Sequence, residues 1–159
     1  MSDTESAATN PAGGHEIYGM PGHLIRRLHQ ISIAYFNERM SGMGLDLTAV
    51  QYSALSVLAE RPGIDQATLA GLIAYDRATI GGVVDRLEAK KLISRRVSPR
   101  DRRARVLAPT SAGLALLDRV APGIAEAQAD ILRDLAPEER AKFMRLLERL
   151  VGGTTPPAR

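Results

Sequence analysis

The stretch that decides the fold runs from 75 to 87 and reads Tyr75-Asp76-Arg77-Ala78-Thr79-Ile80-Gly81-Gly82-Val83-Val84-Asp85-Arg86-Leu87. Its apolar residues recur at i, i+3, i+4 and i+7, the spacing of one buried face of an α-helix. They are Ile80, Val83, Val84 and Leu87. Asp76 is a favourable N-cap. The opposite face is small or polar, so the pattern predicts a helix that can approach another backbone closely.

A β-hairpin is predicted directly after this helix. Its arms run from Leu92 to Val97 and from Ala104 to Ala108, and they are rich in β-branched and apolar residues. The tip between them reads Ser98-Pro99-Arg100-Asp101-Arg102-Arg103. Between 75 and 105 there are ten cationic and four anionic side chains, a net charge of +6 on a chain whose total is +3. The positive charge is therefore concentrated on the helix and the hairpin.

Two shorter helices are predicted before this unit. Thr48 and Gln51 form a capping box at the start of the first, and its expected inner face consists of Val50, Ala54, Val57 and Leu58. Asp65 caps the second, which is expected over residues 66–73 with Leu69, Leu72 and Ile73 facing inward. Only residues 74–76 separate the second helix from the next, so the two must cross steeply, as in a helix-turn-helix.

The order of these elements predicts a winged helix-turn-helix, in which one helix enters the DNA major groove and the basic hairpin, or wing, reaches along the duplex. The alternative is that the charges only form a solvated surface, which is the commoner role of a charge run. The succession of helix, tight turn, second helix and basic hairpin favours DNA binding. We therefore predict a mainly α fold with a small β-hairpin, flanked by N- and C-terminal dimerisation helices.

Helices outside this unit supply the predicted dimerisation surface. One begins at Pro21 and ends near Gly42; a second begins at 109–111, with Pro122-Gly123 expected to kink or break it. A last helix begins near Pro137 and has an apolar stripe that consists of Phe143, Leu146, Leu147, Leu150 and Val151. A two-fold dimer would cover these stripes and set two reading helices roughly 34 Å apart. The alternative is a monomer that folds them onto its own core.

The predicted organisation has five segments. They are a flexible N-terminal arm at 1–20, dimerisation helices at 21–45 and 110–153, a DNA-binding winged helix-turn-helix at 46–109 and a flexible tail at 154–159.

Length, charge and composition exclude several classes of protein. The 159 residues suit one domain with appended helices, and a pI near 9.6 suits a polyanionic partner. The absence of cysteine excludes disulfides, thiolate metal sites and thiol redox sensing. No apolar run is long enough for a membrane span and no signal peptide is evident, so a cytoplasmic protein is expected.

Catalysis is not expected. The chain lacks a G-x-S-x-G motif, a phosphate-binding glycine loop and a cysteine nucleophile. The three histidines, His15, His23 and His29, do not have metal-ligand spacing. Neither a cofactor nor a metal is predicted.

The chain resembles the MarR family of bacterial transcriptional regulators from about Gly22 to Val151. The residues that carry the resemblance are Asp76-Arg77-Ala78-Thr79, Val84-Asp85-Arg86-Leu87, Lys91-Leu92-Ile93, Ser98-Pro99-Arg100-Asp101-Arg102-Arg103 and Leu107-Ala108-Pro109-Thr110-Ser111-Ala112-Gly113. The resemblance implies that Arg103 enters the minor groove and that Asp101 holds the shape of the wing. The predicted DNA-contacting residues are Thr68, Arg77, Ala78, Thr79, Gly81, Gly82, Arg86, Arg95, Arg96, Arg100, Asp101, Arg102, Arg103 and Arg105.

The family resemblance also implies a small anionic aromatic effector that releases the protein from DNA, most often from a repressed operator. Arg26, Arg27 or His29 are the candidates to pair with its carboxylate, and Tyr35 or Tyr52 to line its ring. Each has an alternative role as a surface arginine or as an ordinary core residue. Two alternative functions stay open: a winged-helix module that binds protein, and a non-specific DNA-binding protein without a ligand. A flat dependence of duplex binding on salt would favour the protein-binding module, and equal affinity for random DNA would indicate the non-specific binder.

Overall fold

The computed structural model describes residues 16–99, 101 and 104–153. Its elements, in chain order, are a 3-10 turn Glu16–Gly19, α1 Pro21–Gly42, α2 Ala49–Glu60, α3 Gln66–Leu72, α4 Arg77–Ala89, β1 Ile93–Val97, β2 Arg105–Pro109, α5 Ser111–Ile131 and α6 Pro137–Gly153. The predicted fold class, mainly α with a small hairpin in winged helix-turn-helix order, is confirmed. The dimerisation role of α1, α5 and α6 stays a prediction.

Side-chain caps start four helices at the predicted places. The caps are Thr48, Asp65, Asp76 and Thr110. The side chain of each cap accepts a hydrogen bond from the backbone N–H group three residues later, which satisfies one of the free N–H groups of a helix start. Both bonds of the capping box at the start of α2 are present. Left-handed residues follow the ends of α3 and α4: Ala74 at φ 56° and Lys91 at φ 58°. Ala74 thus makes the tight turn between α3 and α4.

One core cluster lies under the helix-turn-helix. The apolar face of α4 is buried as predicted, with Ile80, Val83, Val84 and Leu87 all included. These residues pack with Leu55 and Leu58 of α2, Leu69 of α3 and Leu107 of β2. A second cluster joins α1 to α5 and consists of Phe36, Met40, Leu47, Val120 and Ile124.

The predicted inner faces of α2 and α3 were wrong in part. On α2, Gln51 and Leu55 are buried, whereas Val50 and Val57 are half-buried. Helix α2 contacts α3, α4 and β2 as well as α1 and α5, so its buried arc is wider than one apolar stripe. On α3, Ala70 is buried instead of Leu72, which is exposed, because the crossing with α4 turns the arc around Leu69 and Ala70 inward.

Pro122 does not break α5, so one of the two predicted outcomes is excluded, while a kink at this position stays a prediction. The helix runs without interruption from Ser111 to Ile131 with Pro122 inside it. A proline removes the bond to the carbonyl four residues earlier, here that of Asp118. Both Pro122 and Asp118 are exposed, so water can satisfy that carbonyl.

The hairpin is held by its own strand pairing and is fixed to the rest of the fold at two places. Strands β1 and β2 pair antiparallel, with Ile93 opposite Pro109 and Val97 opposite Arg105. The α2–α3 loop adds an isolated bridge between Ile64 and Leu107, which the sequence did not indicate. At the start of α5, a Cβ added at Gly113 would lie 2.2 Å from the Leu92 carbonyl oxygen. This position therefore requires glycine, and the tight contact holds α5 against the base of the hairpin.

Part of the predicted N-terminal arm has secondary structure, and the flexibility of the arm stays a prediction. Residues 16–19 form the 3-10 turn, and the ring of Tyr18 lies edge-on to that of His23 at 5.4 Å between centroids. Residues 1–15 of the arm and the tail at 154–159 lie outside the described residues.

Candidate nucleic-acid interface

The outward face of α4 is open to solvent. Arg77, Ala78, Thr79 and Gly82 are exposed, and Gly81 is half-buried. A Cβ added at Gly82 would meet no atom of the described chain within 4 Å, and one at Gly81 would meet Gln66 Nε2 only at 3.5 Å. The two glycines are therefore not required by packing within the chain. Their small size leaves room for a partner that approaches α4 from outside.

The first turn of α4 is set by Asp76 and Thr79. The Thr79 hydroxyl donates to Asp76 Oδ2 at 2.6 Å, and the Thr79 amide donates to Oδ1 at 2.8 Å. The side-chain bond, followed by the backbone bond, holds the pKa of Asp76 below its ordinary value of 3.8. Because its proton is committed to the cap, the Thr79 side chain offers a partner only its methyl group and oxygen lone pairs.

The start of α3 is organised in the same way. The Thr68 amide donates to Asp65 Oδ1 at 2.7 Å, and Thr68 itself is exposed. This backbone bond is the largest cause that lowers the pKa of Asp65, followed by a bond from the Thr68 side chain and, further down, by the charge of Arg77. Asp65, the cap of α3, is thus near enough to Arg77 of α4 for the two charges to interact.

The cations of the helix and hairpin divide into two groups. Arg77, Arg86, Arg96 and Arg105 are exposed and available to phosphates. Arg95 is instead half-buried and ion-paired: it contacts the Asp85 carboxylate, and its Nε lies 3.1 Å from Glu88 Oε2. The sequence placed Arg95 among the DNA-contacting residues and did not indicate this pairing.

Lys90 is also engaged within the chain. Its ammonium donates to the Asp46 carboxylate at 2.8 Å and to the Asp46 carbonyl oxygen, and it lies 3.5 Å from Gln51 Oε1. The Lys90 bond is the largest cause that lowers the pKa of Asp46. The end of α4 is thereby tied to the α1–α2 loop. No sequence signal connects residues 44 positions apart, so only the fold could show this contact.

The hairpin tip is described only in part. Asp101 is exposed, and its amide donates to Ser98 Oγ at 3.4 Å. The Ala104 amide donates to the Asp101 carbonyl at 3.0 Å, and the Ser98 amide donates to the Ala104 carbonyl at 2.9 Å. These bonds close the turn. The three arginines predicted at the tip, Arg100, Arg102 and Arg103, lie outside the described residues.

The predicted effector residues do not converge on one site. Arg26 and Arg27 are exposed on α1, whereas Tyr52 packs against Phe36 at 5.9 Å between ring centroids. The ring of Tyr35 lies 5.7 Å from the guanidinium of Arg133. His29 lines a different place, a cleft of about 320 Å³ between α1, α5 and α6. This cleft is lined by Ile25, Leu28, His29, Ser32, Gln128, Ile131, Leu132, Phe143, Met144 and Leu147.

Among the described residues, no group of three or more histidine, aspartate or glutamate side chains could hold a metal ion. In the same part of the chain, no helix has both the length and the hydropathy needed to cross a membrane.

Comparison with known proteins agrees with this geometry. The MarR family model matches residues 47–104, from the end of the α1–α2 loop to the hairpin. The HTH-type transcriptional repressor NicR of Pseudomonas putida is 30% identical over 148 residues, which cover 93% of this chain and 92% of the relative. The chain therefore belongs to the MarR family of transcriptional regulators, and the resemblance read from its motifs is confirmed.

Two solved structures extend the comparison. BpsR of Bordetella bronchiseptica, whose DNA binding is regulated by 6-hydroxynicotinic acid, matches with a TM-score of 0.80 and 29% identity over 87% of this chain and 98% of its own. PcaV of Streptomyces coelicolor, solved with its natural ligand, matches with a TM-score of 0.78 and 32% identity over 89% of this chain and 98% of its own. These relatives are transcriptional regulators and not enzymes, in agreement with the prediction of no catalysis.

Proposed function

We propose that this regulator binds a pseudo-palindromic operator as a cytoplasmic homodimer, with α4 of each subunit in the major groove and the hairpin tip in the adjacent minor groove. The observation that carries the proposal is the open face of α4. It combines an arginine at the helix start with small residues that nothing in the described chain requires. Helix N-terminal residues are those that reach base edges in a helix-turn-helix, and a narrow minor groove attracts arginine at a hairpin tip.

The dimer is supported by apolar surface on the outer helices. Leu146, Leu150 and Val151 of α6 are exposed, as are Leu24 and Ile25 of α1. Contiguous exposed apolar surface of this kind marks an interaction site. A second copy is the occupant we propose, because a two-fold pair presents two α4 helices to the two halves of a palindromic operator.

We further propose repression that is relieved by a small aromatic carboxylate. NicR is named a repressor, and the DNA binding of BpsR is regulated by an aromatic acid. The cleft that contains His29 supports a site for such a ligand, since it is apolar, carries a polar group and lies between three outer helices. A ligand releases DNA only if it binds the DNA-incompetent subunit arrangement more tightly than the competent one.

The test starts from footprinting on the DNA that flanks the gene, followed by anisotropy titrations of the protected duplex at several salt concentrations. We expect a steep fall of log affinity with log salt, about 0.9 for each phosphate contacted, and weaker binding to random duplex. Arg77→Gln should weaken operator binding, whereas Arg145→Gln on α6 serves as the matched control. A flat salt slope would indicate a protein-binding module, and equal affinity for random DNA would indicate non-specific coating.

The effector is tested on the same duplex. We expect 6-hydroxynicotinic acid or a benzoic acid with ring hydroxyls to lower operator affinity, and His29→Ala to reduce that response while leaving ligand-free binding in place. If no aromatic acid changes operator affinity, the effector proposal fails and the operator proposal stands.

A further inference from the structure

Arg95 joins the hairpin to the reading helix. It lies on β1, while its two partners, Asp85 and Glu88, lie one turn apart on the same face of α4. One end of the guanidinium meets the Asp85 carboxylate and its Nε lies 3.1 Å from Glu88. The Arg95 side chain is only 32% exposed, so the pair of contacts is shielded on one side by the protein.

Arg96 is the neighbouring residue and has a different environment. Successive side chains of a strand point to opposite faces, so Arg96 lies on the face that is turned away from Asp85 and Glu88. It is exposed and lines a groove with Pro62, Pro99 and other residues of the α2–α3 loop and hairpin. The same residue type thus occurs twice in succession, once paired with α4 and once open to solvent.

The local charge also separates the two arginines. Arg95 with Asp85 and Glu88 forms a cluster of one cation and two carboxylates, which carries net negative charge when both acids are ionised. A phosphate that approached Arg95 would meet those carboxylates and would compete with them for the guanidinium donors. Arg96 presents its positive charge to solvent on the other face of β1, away from Asp85 and Glu88, so it is the better phosphate ligand of the two.

We propose that Arg95 is a positioning residue for operator recognition, which fixes the hairpin relative to α4 and does not contact phosphate. The inference rests on the proposed operator binding. The helix and the hairpin are proposed to enter different grooves, so both can engage only when their relative placement matches the spacing of those grooves. An arginine that is ion-paired with two carboxylates one helical turn apart restrains the strand relative to the helix.

The experiment compares Arg95→Gln, Arg96→Gln and the unmodified protein on the footprinted duplex over a series of salt concentrations. Loss of a phosphate contact reduces the steepness of the salt dependence by about 0.9, and we expect this for Arg96→Gln. Arg95→Gln should instead keep the slope of the unmodified protein and lose roughly tenfold in affinity at every salt concentration, within the range of coupling between contacting residues. Urea unfolding of each variant shows that the fold is retained.

A charge exchange makes the test independent of the loss of folding stability. Asp85→Arg combined with Arg95→Glu reverses the pair, and we expect it to recover most of the affinity lost in Arg95→Glu alone. A phosphate contact at position 95 could not be restored by glutamate. The proposal is overturned if Arg95→Gln flattens the salt slope as Arg96→Gln does, if it leaves affinity unchanged, or if the exchange does not recover binding. A flat slope for the unmodified protein would instead overturn operator binding itself.

Discussion

Helices α4 and α6 both carry an apolar stripe at helical spacing, but they differ in what covers it. In α4, Ile80, Val84 and Leu87 have no exposed surface. In α6, no residue from 137 to 152 is buried, and Leu150 and Val151 remain 64% and 69% exposed. The period of a pattern shows which face of a helix is apolar. It does not show whether the same chain or another one covers that face.

The largest effect, a loss of folding stability, is expected from a substitution in the buried apolar stripe of α4. Leu87→Ala should lower the free energy of unfolding by about 2–5 kcal/mol, because it leaves a cavity in a packed core. Leu72→Ala, which removes the same atoms from an exposed position on α3, should cost less than about 1 kcal/mol. Urea unfolding at one fixed protein concentration measures both. Equal losses for the two variants would show that α4 is not the centre of the core.

A substitution in the exposed apolar stripe of α6 should affect self-association instead. Leu146→Glu places a charge in the proposed dimer interface and should weaken self-association by about 2 kcal/mol or more, roughly thirtyfold in the dissociation constant. Arg145→Glu introduces the same side chain on the opposite face of α6 and is the control. Sedimentation at a range of concentrations gives both constants. A dimer that tolerates Leu146→Glu as well as Arg145→Glu would remove α6 from the interface.

The outer face of α4 offers a change that should stabilise the fold and impair its function. Gly82→Ala should raise the free energy of unfolding by about 1 kcal/mol, since alanine is the better helix former and a Cβ has room there. Operator affinity should nevertheless fall, because the methyl group separates α4 from the DNA. Gly22→Ala on α1, where a Cβ also meets nothing within 4 Å, should leave operator affinity unchanged. Unimpaired binding by Gly82→Ala would place the DNA elsewhere.

The elements were predictable where local chemistry decides them. The caps at Thr48, Asp65 and Asp76 act on amides three residues away, and the buried face of α4 follows from its own spacing. The burial of Leu55 rather than Val57 on α2 depends on the helices that cross α2, and the continuation of α5 through Pro122 depends on Pro122 lying on its exposed side. Neither follows from a local pattern, so the sequence predicted neither.

The candidate site also has a part that the sequence predicted and a part that it missed. The helix and hairpin that carry it were predicted from charge and order, and Arg77, Thr79 and Gly82 do lie on an exposed face. The ion pairs of Arg95 and Lys90 were missed, because a charge count treats all ten cations alike. The acids at 85 and 88, spaced three apart, are a signal that could have indicated a cation on a neighbouring element. The contact of Lys90 with the α1–α2 loop had no such signal.

The smallest expected effect is on the pH dependence of folding stability, and it arises from Asp76 at the start of α4. Its bonds to Thr79 lower the folded pKa of Asp76 below the ordinary 3.8, so ionised Asp76 stabilises the fold at any pH above its unfolded pKa. That contribution starts to fade near pH 3.8 and is lost as the pH falls through the lowered folded pKa. Asp76→Asn keeps a capping oxygen but cannot titrate, so its unfolding free energy should depend less on pH in this acidic window. Thermal unfolding followed from pH 6 to pH 2.5 measures the difference between the two proteins.

Some acid sensitivity should persist in the variant, because the pKa values of Asp46 and Asp65 are lowered as well. Identical pH curves for the two proteins would mean that ionised Asp76 is no more stabilised in the folded chain than in the unfolded one, and that its charge does not fix the first turn of α4.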